Sequence, residues 1–396
     1  MALEKVYIPY GGYWSSPFCR WQGSLSNHNS VVLASEAAKA FMAGREISPE
    51  GLDNLGLGFT VPQKHSFYGA PWFAALIGAP GITGNNYAQA CATSARVMAA
   101  LAAEIEAGYS ECALGVTCDR TSNGPHVYYP NPNAPGGKGD TEEWVWDNFN
   151  HDPHAGNAMI QTAENVAKEH GISREEQDQL TLLRNEQYAE SLKDDRAFQK
   201  RYMLPVDVGN RRKPKIVEAD EGVFPTTPDG LAKLKPVQPD GSVTFGTQTY
   251  PGDGNAGVLL CSRERAEALS KDKSVPVQLL SFAQTRVKKG FMPMAPAPAA
   301  KLALKRAGVD IADLKATKTH NPFAVNDVFF SREMGIAPEK FNNYGSPLVY
   351  GHPQGPTGMR VTIELIEELA AAGGGFGLFS GCAAGDTAMA LVLRVG

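Results

Sequence analysis

Apolar side chains recur with helical spacing over residues 30–43 (SVVLASEAAKAFMA), run as one continuous block over 55–61 (LGLGFTV), and return to helical spacing over 67–79. An extended segment, NNYAQA, leads to Cys91, and ATSARVMAALAAEIEAG follows as an Ala-rich helix closed by Gly108. ECALGVTCD then reads as a buried strand. Strands alternating with helices in this way predict a layered α/β core.

At about residue 119 the pattern changes. Residues 120–157 are rich in Pro, Asn, Gly and aromatic side chains, too long and too aromatic for a linker, and predict an ordered excursion with a functional role. Two helical stretches follow, the second opening with Ser173 three residues before Glu176, the spacing of a capping box. Charged, strand-poor sequence continues to about residue 246, and the core pattern resumes at 253–269. A second α/β series begins near 276, with helices over PAPAAKLALKRAG and VTIELIEELAAAGGG, and two closing apolar runs joined by a turn around Cys382. The similarity of the outer parts hints at an internal duplication. The reading divides the chain into a first core half (1–118), an inserted loop domain (119–248), a return to the first half (249–272) and a second half (273–396).

Composition narrows the function classes. A net charge of −5 over 396 residues argues against gripping nucleic acid by bulk charge. No apolar run reaches the ~18 residues of a membrane span, and the N-terminus lacks a signal-type apolar stretch, so a cytoplasmic location is expected. The cysteines, at 19, 91, 112, 118, 261 and 382, include no CxxC pair and form no disulfide framework. No metal site is predicted; His126, His151 and His154 read as solvated loop histidines.

Three distant places carry candidate chemistry. Cys91 sits where extended chain meets a helix, so the helix dipole and free first-turn N–H groups should stabilise its thiolate, the nucleophilic form. His352 lies in a Gly/Pro loop, GSPLVYGHPQGPTG, where an imidazole can act as general base or oxyanion donor. Cys382, in SGCAAGD, suits proton shuttling to a substrate thiol of similar pKa. Taken singly, each has an ordinary alternative: a buried structural cysteine or a surface histidine.

Taken together these segments resemble the thiolase family over nearly the whole chain. SSPFCRWQGSLS (15–26), QACATS (89–94), TAENVAKEHGISREEQD (162–178), GDGNAGVLLCSRERA (252–266), MAPAPAAKLALKRAG (294–308) and GHP (351–353) stand in the family's order. The resemblance implies a five-layered α/β/α/β/α core of two similar halves with an inserted loop domain, and homodimers or tetramers. It implies Cys91 as the acylated nucleophile and His352 as the group that takes its proton. His320-Asn321-Pro322-Phe323 replaces the usual Asn-Glu-Ala-Phe, so His320 stands where most members have Asn, resembling the sterol-carrier-protein-type subgroup, His-Asp-Cys-Phe. Pro322 cannot supply that subgroup's acid/base cysteine, which leaves Cys382, with Ser380 as an alternative alignment.

The implied reaction is CoA-dependent cleavage of a 3-oxoacyl-CoA, or the reverse Claisen condensation, with coenzyme A as co-substrate and no permanent cofactor. His320 and His352 would form one oxyanion hole, and backbone N–H groups of Cys91 and the Ala384–Gly385 region the other. Tyr128, Tyr129, Trp144, Trp146 and Phe149 suggest a pocket for a bulky or aromatic acyl group, such as that of benzoylsuccinyl-CoA. The departures from the family pattern also admit a small OB-fold, zinc-bearing partner. The alternatives are a condensing synthase of the same superfamily and a non-catalytic CoA-binding subunit.

Overall fold

A computed structural model describes residues 2–209 and 212–396. The first half contributes β1 (Tyr7–Ile8), β2 (Tyr13–Ser15), α1 (Ser30–Gly44), β3 (Asn54–Gly58), α2 (Gly69–Leu76), β4 (Gly84–Tyr87), α3 (Thr93–Glu106) and β5 (Cys112–Arg120). The chain then leaves the sheet. A hairpin of β6 (His126–Tyr129) and β7 (Asp140–Glu143) precedes the helices α4 (Met159–His170) and α5 (Arg174–Ser191). The return and second half are β8 (Gly252–Cys261), α6 (Arg263–Leu269), β9 (Val277–Arg286), α7 (Pro296–Ala307), β10 (Leu314–His320), α8 (Ala324–Met334), α9 (Thr357–Ala371), β11 (Gly375–Ala383) and β12 (Thr387–Val395).

Each half contains a parallel pair followed by two antiparallel steps, β3–β5–β8–β1 in the first and β10–β11–β12–β9 in the second. In the first, β8 pairs antiparallel with β5, and β5, β3 and β4 run parallel. In the second, β9 pairs antiparallel with β12, β12 antiparallel with β11, and β11 parallel with β10. The short β1 hydrogen-bonds to both β8 and β9 and joins the halves into one ladder. Helices α1 and α2 cover the outside of the first half and α7 the outside of the second, with α8 packed on α7 and on α4 and α5 of the inserted chain. Between the halves, α3 and α9 pack on each other, and each also touches strands of the opposite half. This is the five-layered order expected from the resemblance. Of the middle helices, α9 is buried from Thr357 to Leu369, its charged Arg360 and Glu364 included, because both its faces meet sheet.

Local signals explain the element ends. Ser173 and Glu176 form the reciprocal capping box at the start of α5. Gly308 closes α7 in the left-handed conformation. Two expectations are corrected. The strand expected over 55–61 stops at Gly58, because the N–H groups of Thr60 and Val61 turn away to the buried Asp119 carboxylate, at 2.7 and 2.9 Å. The turn expected around Cys382 lies beyond it: Cys382 is inside β11, paired with Ala388, and the reversal is made at Gly385 (φ 80°) and Asp386 (φ 60°). Among the described residues, no helix is long and apolar enough to cross a membrane.

Candidate active site

Each reactive group is held by a different element. Cys91 does not lie within α3 but in the tight turn ahead of it, where Ala92 is the N-cap. Ala90 adopts φ 43°, an unfavourable conformation for a side-chain-bearing residue, and the turn is braced by Thr93, whose Oγ1 accepts from the Gln89 N–H (2.8 Å) and donates to the Ala90 carbonyl (2.7 Å). The thiol is thereby presented ahead of the helix, on a residue that is half-buried as a whole. His352 is buried at the end of the Gly351 turn. Gly351 has φ 90°, and a Cβ there would meet the Tyr250 ring at 2.6 Å, so any side chain at this position is both strained and crowded.

These two groups meet: His352 Nε2 lies 3.2 Å from Cys91 Sγ, and His352 Nδ1 lies 2.7 Å from Thr357 Oγ1. Assigning the ring proton to Nδ1, which donates to Thr357, leaves Nε2 able to accept the thiol proton. His320 ends β10, beside Gly381 in register, and its ring centroid is 4.1 Å from that of His352. A Cβ on Gly381 would approach the His320 Cβ to 2.9 Å, so the glycine permits this close packing. Both ring nitrogens of His320 are buried without a hydrogen-bond partner. Cys382, fully buried in β11, accepts a hydrogen bond from Asn326 Nδ2 at 3.3 Å and is close enough to Cys91 for charge on one sulfur to oppose charge on the other. Ser380, the alternative to Cys382, donates instead to the Pro296 carbonyl, away from these groups.

Burial dominates the electrostatics. It pushes the Cys91 thiol up to about 12, against the backbone N–H groups of Ala384 and of Cys91 itself, which lower it; the charge of Asp119 adds to the rise. The N–H groups that face the sulfur come from the turn and from residue 384 rather than from the first turn of α3, where they were expected. Burial, with the neighbouring His320, also holds His352 well below its usual range, and burial lowers His320 to about 3. The resting state is thus a neutral thiol beside neutral imidazoles. Cys382 is raised by burial and by Cys91.

Sequence reasoning missed the groups that hold this arrangement. The chain from Thr247 to Gly252 is a strap between the two histidine loops. On one side the Ala324 N–H donates to the Thr247 carbonyl (2.8 Å) and the Thr249 N–H to the Pro322 carbonyl (2.7 Å); on the other the His352 N–H donates to the Tyr250 carbonyl (3.0 Å). Asp119 is a second hub, accepting from the N–H groups of Thr60, Val61 and Gly355. A carboxylate closing the apolar run of β5 was the available signal. Asn321 is a brace, donating to Asp327 and Ser346 and accepting from the Leu348 N–H.

The aromatic residues separate. Trp144 donates to the Thr60 carbonyl at 2.8 Å, which ties it to the wall beside Asp119 and Gln354. Trp146 packs between Trp21 and Phe149 and stays partly exposed. Tyr128 and Tyr129 face solvent, and their hydroxyl groups bond within the hairpin, to the Gly139 N–H and Glu142.

The model of the thiolase N-terminal domain matches residues 14–264, and that of the thiolase C-terminal domain residues 274–395. The chain belongs to the thiolase family. It is 31% identical to the 3-ketoacyl-CoA thiolase of Bacillus subtilis, over 87% of this chain and 88% of that protein, and 31% identical to the beta-ketothiolase BktB of Cupriavidus necator, over 94% and 95%. The crystal structure of human mitochondrial 3-ketoacyl-CoA thiolase in complex with CoA superposes with a TM-score of 0.91 at 26% identity, covering 100% of this chain and 99% of that one. Membership in the family makes the chain an acyltransferase in class.

Proposed function

We propose that this thiolase cleaves a 3-oxoacyl-CoA with coenzyme A as co-substrate, or runs the reverse condensation, through an acyl group carried on Cys91. The observation that carries the reading is the 3.2 Å approach of His352 Nε2 to Cys91 Sγ, with Cys382 adjoining on β11. Because thiol and imidazole are both neutral at rest, the proton passes to His352 as sulfur attacks the 3-oxo carbon. The C2–C3 bond then breaks, and its electrons leave as a thioester enolate. Cys382 gives its proton to C2, and the resulting thiolate takes the proton of incoming CoA, whose sulfur displaces the acyl group from Cys91; the released Cys91 sulfur takes its proton back from His352. The unpartnered nitrogens of His320 support a role in holding the thioester oxygen, with His352 as its neighbour. The N–H groups of Cys91 and Ala384 face the sulfur and support the second oxyanion hole, with Gly385 forming the turn behind them.

The acyl group is read as bulky or aromatic, such as that of benzoylsuccinyl-CoA, with Trp144 the aromatic residue tied to the site wall. A homodimer belongs to the same reading: β4 is an edge strand whose exposed Asn85 and Asn86 leave main-chain groups free to pair with a second copy. The domain boundaries at 118/119, 248/249 and 272/273 accompany it. The test is mass spectrometry of protein mixed with aliphatic and aromatic 3-oxoacyl-CoA. A Cys91 acyl adduct that CoA removes is expected, and Cys382→Ala should still acylate from acyl-CoA but turn over poorly. Full turnover by Cys91→Ser would overturn the reading.

A further inference from the structure

Cys91, His320 and His352 have a property that acyl transfer does not require. One ligand atom from each, a sulfur and two ring nitrogens, lie within 4.8 Å of one another. In tetrahedral zinc sites, with Zn–S near 2.3 Å and Zn–N near 2.1 Å, such atoms stand roughly 3.5 Å apart. The 3.2 Å between Cys91 Sγ and His352 Nε2 is already close to that spacing. The third donor has to come nearer by about the difference, and His320 is the group able to do so: neither ring nitrogen is engaged in a hydrogen bond, so a small turn of the imidazole breaks none.

We propose that these three side chains form a binding site for a zinc-type divalent cation, and that occupancy of the site switches turnover off. The donor set decides the class of ion. One thiolate and two imidazoles suit zinc and its borderline-soft neighbours and disfavour magnesium or calcium, which need oxygen ligands. On binding, the Cys91 thiol releases its proton to solvent, sulfur and the two imidazole nitrogens each give a lone pair to the cation, and nothing is oxidised or reduced. The same lone pairs are those that attack substrate and accept the thiol proton, so metal and acylation exclude each other. His320 makes the site: with an amide in its place only two soft donors would converge. The metal site stands on this geometry alone, whereas its effect on turnover rests on the acyltransferase reading above.

The test uses the full chain freed of metal by chelator and titrated with Co²⁺, then Zn²⁺. One Co²⁺ per chain is expected, with a near-ultraviolet sulfur-to-cobalt charge-transfer band that Zn²⁺ abolishes by displacement. Cys91→Ala should lose the band. His320→Asn should weaken Co²⁺ binding by at least ~10-fold, and His320→Gln serves if that variant does not fold. Zn²⁺ should also protect Cys91 of the unsubstituted protein from iodoacetamide, with chelator restoring its reactivity. Absence of the band in the unsubstituted protein, or equal Co²⁺ affinity in the His320 variants, overturns the proposal. Acylation of Cys91 by 3-oxoacyl-CoA, measured in chelator, separates the two readings: an adduct without Co²⁺ binding sinks the metal site alone, and Co²⁺ binding without an adduct sinks the acyltransferase reading while supporting the site.

Discussion

Asp119 shows how one buried residue can set a pH dependence away from the reacting atoms. Burial pushes its carboxyl up to about 7, although N–H groups of Val61, Thr60 and Gly355 oppose the rise. The hydrogen-bond chain explains how a proton is accommodated. Thr60 Oγ1 has one hydrogen but faces two acceptors, Asp119 Oδ2 at 2.9 Å and Gln354 Oε1 at 2.8 Å. A proton on Asp119 lets the carboxyl donate to Thr60, which then donates to Gln354. The folded state therefore keeps this proton to a higher pH than the unfolded chain, whose carboxyl titrates near 3.8. Stability from this group is full below about 4 and is lost as pH rises to about 7. Urea unfolding between pH 4 and 8 should show that decline, and Asp119→Asn should remove it; equal pH slopes in both proteins would refute the assignment. Cys91 gives a second prediction. With the thiol near 12, its alkylation by iodoacetamide should rise ~10-fold per pH unit from 7 to 10. A rate plateau below pH 9 would instead show a resting thiolate. Cys91 and His352 were singled out by the resemblance of QACATS and GHP to the family's motifs, since the chemistry of each residue alone left an ordinary alternative. Asp119, Thr357 and Asn326 were not, since a buried polar residue shows its purpose only when its partner, distant in sequence, is known.

At the scale of elements, the helices and long strands were legible because each carries its own periodicity and caps, as with Ser30–Gly44 and the capping box at Ser173. The strap at Thr247–Gly252 was not: it has no apolar period, and its main-chain bonds run to residues about 75 to 100 positions later. Its consequence is specific. Tyr250 fills the space where any side chain at residue 351 would go, and the same residue's carbonyl holds the His352 N–H. Gly351→Ala combines a φ of 90° with a 2.6 Å approach to that ring. It should cost about 1–3 kcal/mol in stability. A shift of His352 by about 1 Å should lower kcat by ~100-fold. Circular dichroism with steady-state rates checks both, and an unchanged kcat would show that the strap does not set the position of the imidazole.

At the scale of the molecule, the order of the layers was not legible from periodicity, because α3 and α9 look like ordinary amphipathic or apolar helices until their two sheets are known. Nor was the way the inserted chain is fixed to the core. Two fully buried ion pairs do this. Arg184 on α5 donates to Asp327 on α8 at 2.8 Å, and Arg360 on α9 donates to both oxygens of Asp220 at 2.6 and 2.7 Å. Arg360 also lies 3.8 Å over the Tyr350 ring, directly before the Gly351 turn. A buried pair adds little relative to an apolar replacement, but losing one partner strands the other charge, at about 3–5 kcal/mol. Asp220→Asn keeps the shape and removes the charge, leaving Arg360 with Glu364 at 3.0 Å as its remaining carboxylate. The penalty should fall on the contact between inserted chain and core rather than on either sheet, whose ladders do not include residue 220. Hydrogen exchange can separate these cases. In the parent protein the amides of α5 should exchange together with those of α9, as one cooperative unit. In Asp220→Asn the α5 amides should exchange faster, while β5 and β12 keep their protection. Equal acceleration in all four elements would mean that the inserted chain and the core open only as a whole, and that these ion pairs do not form a separable joint.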